Sequence, residues 1–203
     1  MLESPKTERG RATRERIVAA ASELIGANSV AETSLDDVIE RAGASKSQLY
    51  HYFEDREALL RAVVAHNTEE LLGDLVPLDG WKAIRTWFHS LIELQVEGRA
   101  CGGCPIGSLV SQLAEADEEA RRALAGSLAR WEAGLRDGLT SMQARGKLAR
   151  GAHPDELATA TLAAIQGGLL LTQARRDPGQ LAIALDAAYA HLRAHAANPR
   201  ADR

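Results

Sequence analysis

The segment TSLDDVIERAGASKSQLYHYF, residues 33–53, constrains the fold more than any other part of the chain. Two short stretches of helical periodicity flank Gly43. Each follows a serine that can accept a hydrogen bond from the first turn of a helix: Ser34, answered three positions on by Asp37, and Ser45. Leu35, Val38, Ile39 and Ala42 form the inner face of one stretch, and Leu49 and Phe53 that of the other. A glycine at the junction lets the first helix stop abruptly, so the pattern predicts two helices of about two turns joined by a tight corner.

The remainder of the chain repeats the helical period and shows no strand-like alternation and no internal repeat. Ahead of the corner, Ile17, Val18, Ala21, Leu24 and Ile25 make one apolar stripe. After it, Asp55 caps a long helix carrying Leu59, Leu60, Val63, Val64, Leu71 and Leu72. Beyond Asp79 come a helix with Trp81, Ile84, Trp87, Phe88, Leu91 and Leu94, a glycine-rich turn ACGGCPIG, and a helix through Leu109 and Leu113. Asp117 opens a long helix with the stripe Leu124, Leu128, Trp131, Leu135, Leu139 and Met142, and Pro154 and Pro178 start the last two. The expected fold is all-α: a three-helix head over residues 1–55, joined by a long helix to a helical body over residues 56–203.

In a corner of this kind the second helix enters the DNA major groove, and its early residues meet bases and phosphates. The outward positions Lys46, Ser47, Gln48, Tyr50 and His51 can all donate hydrogen bonds, which suits both phosphate positioning and base reading. A net charge of −4 excludes a general polyanion binder, yet Lys6, Arg9, Arg11, Arg14 and Arg16 crowd the first sixteen residues and Arg56 follows the aromatic cluster. No nucleophile elbow, phosphate-cradling glycine loop or HExxH motif is present, so no enzyme activity, cofactor or metal is expected.

The stretches RERIVAAASELI and TSLDDVIERAGASKSQLYHYFEDREALLRAVV resemble the TetR family of transcriptional regulators almost position by position. The resemblance implies a homodimer on a palindromic double-stranded operator and a small-molecule effector in the body. Carried over by position, it implies phosphate contacts at Thr33, Ser34 and Arg56, recognition by Lys46, Ser47 and Gln48, and backbone and base contacts by Tyr50 and His51. The body motif GCPIGSL, followed by an acid-started helix, is similar to the LmrA-like subgroup of repressors of drug-efflux genes.

An effector site between helices is expected to be mainly apolar, with Trp87, Phe88, Leu91, Leu109, Leu113, Leu128, Trp131, Leu135 and Gln166 as candidates and an uncharged ligand as the fitting class. The last two helices are the expected dimer surface, through Ala164, Gly168, Leu169, Leu170, Leu181, Leu185 and Leu192, with Ala160, Ala163 and Gly167 permitting close approach. The competing reading is a thiol-based redox or electrophile sensor acting through Cys101 and Cys104; a structural helical partner protein is a third. Leu157–Ala174 carries no charge over 18 positions, but its threonines and glutamines favour a buried helix over a membrane span. With no apolar run in MLESPKTERGRATRER, a cytoplasmic location is expected.

Overall fold

The structure, a computed structural model, describes residue 5 and residues 7–72, 77–98 and 103–198. Cys101 and Lys6 lie outside them. Among the described residues the chain forms helices α1 (Glu8–Ala27), α2 (Leu35–Ala42), α3 (Lys46–Tyr52), α4 (Arg56–Leu72), α5 (Trp81–Glu97), α6 (Pro105–Leu113), α7 (Glu118–Ala144), α8 (Pro154–Arg175) and α9 (Gly179–Ala194). The only pairing of extended backbone among them is a single bridge between Leu148 and Ala196.

The chain divides into two compact units. The first holds residues 1–74 and 105–127, and the second residues 75–104 and 128–203, so α7 gives its opening turns to one and the rest to the other. Compactness thus groups α4, α6 and the start of α7 with the head helices, whereas the expected division falls at residue 55. The physical reason is the apolar side of α4, where Leu59, Leu60, Val63 and Val64 are buried and the helix packs on α1 and α6.

In the first unit side-chain caps set the helix boundaries, the expected ones at Ser34, Ser45 and Asp55 and a further one at Thr7. Thr7 accepts the Gly10 N–H at 3.1 Å to start α1. Ser34 and Asp37 form a reciprocal capping box on α2, and Ser45 and Gln48 another on α3. Gly43 closes α2 at φ 58°, in the left-handed region where glycine avoids the penalty of a side chain. The Asp55 carboxylate accepts the Ala58 N–H at 2.6 Å in the first turn of α4. Ile17, Val18, Ala21, Leu49, Phe53 and Val63 fill the core beneath these helices.

The second unit is built on the α8–α9 hairpin, with α5 packed on α9. Pro154 opens α8 after His153, as expected, while Pro178 sits one position earlier than expected, as the N-cap of α9. Helix α8 is long and apolar enough to cross a membrane, with mean hydropathy 1.3, and 44% of that window is buried inside the protein. Leu157, Ala158, Thr161, Leu162, Ile165 and Leu169 account for much of that burial.

Two glycines of α7 carry opposite predictions. A methyl group on Gly138 would stand 2.5 Å from the Leu78 carbonyl oxygen and 2.8 Å from its carbon, and backbone cannot rotate away. One on Gly126 would meet nothing within 4 Å. Gly138→Ala should therefore lower the unfolding free energy by about 1–2 kcal/mol despite better helix propensity, and Gly126→Ala should raise it by up to about 1 kcal/mol. Urea denaturation of the two variants checks the sign of each.

Candidate nucleic-acid interface

The burial of Leu49 and Phe53, at 0% and 2% exposure, turns α3 so that Lys46, Ser47, Gln48, Tyr50 and His51 all face solvent. Tyr50 is 47% exposed, which leaves its hydroxyl available to a partner. Gln48 has two functions on one amide. Its Oε1 accepts the Ser45 N–H at 2.8 Å, which fixes the side chain along the helix start and leaves the NH2 group as a donor aimed outward.

Helix α1 supplies positive charge beside this face. A methyl on Gly10 would lie 3.5 Å from the Tyr52 hydroxyl, so the start of α1 and the end of α3 are neighbours. The Arg14 guanidinium stands 5.2 Å over the Phe53 ring. Arg16 donates from Nε to the Ala42 carbonyl at 3.4 Å, at the end of α2. Arg9 and Arg11 are exposed.

Three expected phosphate contacts have more constrained places than their sequence positions imply. Ser34 is exposed, but its hydroxyl donates to Asp37 Oδ2 at 2.6 Å while accepting the Asp37 N–H at 3.1 Å. The Ser34 hydroxyl, and then its backbone N–H, hold the Asp37 carboxyl below its ordinary range, so the box is ionised at neutral pH. Thr33 is 5% exposed, and its hydroxyl donates to the Ser29 carbonyl at 2.8 Å. Arg56 is half-buried; one of its terminal nitrogens donates to the Val30 carbonyl and, at 2.8 Å, to the Thr33 carbonyl. Its guanidinium clamps the loop between α1 and α2 from within.

A residue that sequence reasoning missed completes the clamp. Gln112 on α6 accepts the Val30 N–H at 2.7 Å, across 82 positions of sequence. Ser108 fixes that amide in turn, accepting from Gln112 Nε2 at 3.0 Å through its hydroxyl. No local signal marks Gln112, because its partner is a main-chain group on another element.

The expected effector residues fall in both units. Leu109 and Leu113 are buried in the first. Trp87, Phe88, Leu91, Trp131 and Leu135 are buried in the second, where Leu128 and Gln166 are half-buried. Trp87 meets Phe88 at 5.5 Å and Trp131 edge-on at 6.5 Å between ring centroids. Gln166 Nε2 lies 3.5 Å from Cys104 Sγ. The Cys104 side chain is 7% exposed at the start of α6, which suits packing rather than encounter with an oxidant, and nothing here supports the thiol-sensor reading. Among the described residues no group of histidine, cysteine and carboxylate side chains could hold a metal. The His191 and His195 rings meet edge-on at 5.2 Å.

Of the expected dimer residues, Gly168, Leu169, Leu181, Leu185 and Leu192 are buried within the protomer, and Ala164 is half-buried. They hold α8 against α9: a methyl on Gly168 would come within 2.8 Å of Leu181 Cδ1 and 2.9 Å of Ala184 Cβ. The opposite stripe of α8, Ala160, Ala163, Gly167, Leu170, Leu171 and Ala174, is exposed and uncharged. On α9 the exposed positions Ile183, Ala187 and Ala190 continue the same character, with Leu170 and Ile183 at 65% and 68% exposure.

Solved structures share this architecture. The reduced form of NemR from Escherichia coli superposes with a TM-score of 0.80 at 21% identity, covering 91% of this chain and 97% of that one. A TetR transcriptional regulator from Chloroflexus aurantiacus does so at 0.80 and 22%, covering 94% and 98%. Two capped helices at a glycine corner, with a donor-rich exposed face on the second, define a helix-turn-helix DNA-binding regulator. Residues 17–63 match the bacterial regulatory proteins of the tetR family, and residues 81–187 match the C-terminal domain of LmrA/YxaF-like transcriptional regulators. An HTH-type transcriptional regulator of Mycobacterium tuberculosis is 30% identical over 174 residues, covering 81% of this chain and 86% of the relative. Another, from the lacX 3′ region of Lactococcus lactis, is 28% identical over 176 residues, covering 82% and 86%. The chain belongs to the TetR family of transcriptional regulators, and these relatives are regulators rather than enzymes.

Proposed function

We propose that the protein is a homodimeric repressor of the cytoplasm that binds a palindromic operator through two copies of α3 and is released by a small, uncharged, mainly apolar effector. The observation that carries this reading is the exposed row Lys46, Ser47, Gln48, Tyr50 and His51 on a helix whose other side is fully buried. Residues 1–55 then act as the DNA-binding head and residues 56–203 as the effector and dimer body. The uncharged stripes of α8 and α9 support a self-complementary pairing, which would set two recognition helices about 34–36 Å apart, one turn of DNA.

Lys46→Ala and Tyr50→Ala should each weaken operator binding about tenfold without loss of fold, because each removes contacts made only with DNA. Anisotropy titration with a labelled operator reads the affinity, and the Lys46 variant should also shallow the salt dependence by about one unit of slope. Unchanged affinity in both variants would place a different helix in the groove.

A further inference from the structure

We infer that the second unit takes an uncharged, apolar-bodied molecule carrying a hydrogen-bond acceptor for the Trp131 indole N–H and a donor for the Gln95 side-chain carbonyl. This rests on reading that unit as the effector body. Trp131 is 1% exposed, and its Nε1 has no hydrogen-bond partner among the described residues. Gln95 Oε1 is likewise buried without a partner. A buried donor or acceptor left unmade is costly, and native interiors contain few of them.

The same unit satisfies its other buried polar groups. Thr161 donates to the Leu157 carbonyl at 2.7 Å, and Thr172 accepts the Leu181 N–H at 3.1 Å. Their residues are linked through Trp87. Trp131 meets Trp87 edge-on, and Leu91 and Gln95 follow Trp87 along α5 at successive four-residue steps, which are neighbouring positions on a helix. Gln95 stands about 12 Å from Trp87 along the axis of α5. Among the described residues no Asp, Glu, Lys, Arg or His is buried in either unit, and an ion there would lack a counter-charge. The fitting chemistry is a neutral molecule with an apolar or aromatic middle, a carbonyl-type acceptor at one end and a hydroxyl or amide donor at the other.

Three probes separate these elements: 4-hydroxyacetophenone carries acceptor and donor, acetophenone the acceptor alone, and ethylbenzene neither. The readout is the indole N–H resonances of 15N-labelled protein, with the Trp131 signal assigned by its loss in Trp131→Phe. Both ketones should move the Trp131 indole proton downfield and ethylbenzene should not. 4-Hydroxyacetophenone should bind about tenfold tighter than acetophenone, and Gln95→Leu, at a half-buried position that tolerates it, should erase that difference. Equal binding of all three with the Trp131 signal unmoved would overturn the inference while leaving an apolar effector body in place. Saturation by none of them would overturn both. The chain has three tryptophans, so if Trp131→Phe fails to fold, Trp81→Phe and Trp87→Phe assign the Trp131 signal by elimination.

Discussion

Replacing Leu170 and Ile183 together with aspartate is expected to give a folded monomer with operator affinity reduced by at least about 100-fold. Both side chains are largely exposed, at 65% and 68%, so the new carboxylates meet water in the monomer and would lose it only across an interface. On the proposed dimer, two linked heads would hold a palindromic operator, and separating them would forfeit the effective concentration of the second contact, a factor of about 10²–10⁴. Light scattering and anisotropy titration read the two effects. The same substitution at Leu169 is a poorer test, because that side chain is 5% exposed and an aspartate there would unfold α8 from α9 before it reached any partner. A variant that remains a dimer with intact helicity would move the interface elsewhere.

The second large effect is expected at Arg56. Its guanidinium spans the Val30 and Thr33 carbonyls, and Gln112 holds the Val30 N–H from α6. Arg56→Ala leaves two carbonyls of the α1–α2 loop without their charged donor and should lower the unfolding free energy by about 2–3 kcal/mol. Lysine should restore it only in part: both bonds leave one terminal nitrogen, which an ammonium can replace, but the lysine stem reaches one bond less far. Operator affinity should fall with the head's order, but the salt slope should stay unchanged if the side chain touches no phosphate. A shallower slope, with stability intact, would instead make Arg56 a phosphate contact.

The contrast between Arg56 and Ser45 shows what the sequence can carry. Capping is local: Ser34 with Asp37, and Ser45 with Gln48, lie three positions apart, so the boundaries of α2 and α3, and hence the face α3 presents, are legible from residue order alone. Arg56, Thr33 and Gln112 engage main-chain groups, and the Arg56 and Gln112 partners lie 23 to 82 positions away. A carbonyl looks the same under every side chain, so no residue type announces such a partner. The proposed dimer surface illustrates a different limit. The apolar richness of α8 and α9 is plain in the sequence, but both sides of these helices are apolar or small. Which side closes the hairpin depends on packing, with Gly168 admitting Leu181 and Ala184. The effector residues share that limit, because a stripe such as Trp87, Phe88 and Leu91 serves a core and a binding site equally well.

The central claim is that α3 reads a palindromic DNA site. Its most direct test is selection of fragments of the source genome by the purified protein, followed by anisotropy titration of the enriched sequence at two salt concentrations. The expected result is a site with two inverted half-sites about one helical turn apart, bound at least about 10³-fold more tightly than random DNA and weakened by added salt. Enrichment of no sequence over random fragments, with the protein folded and dimeric, would contradict it.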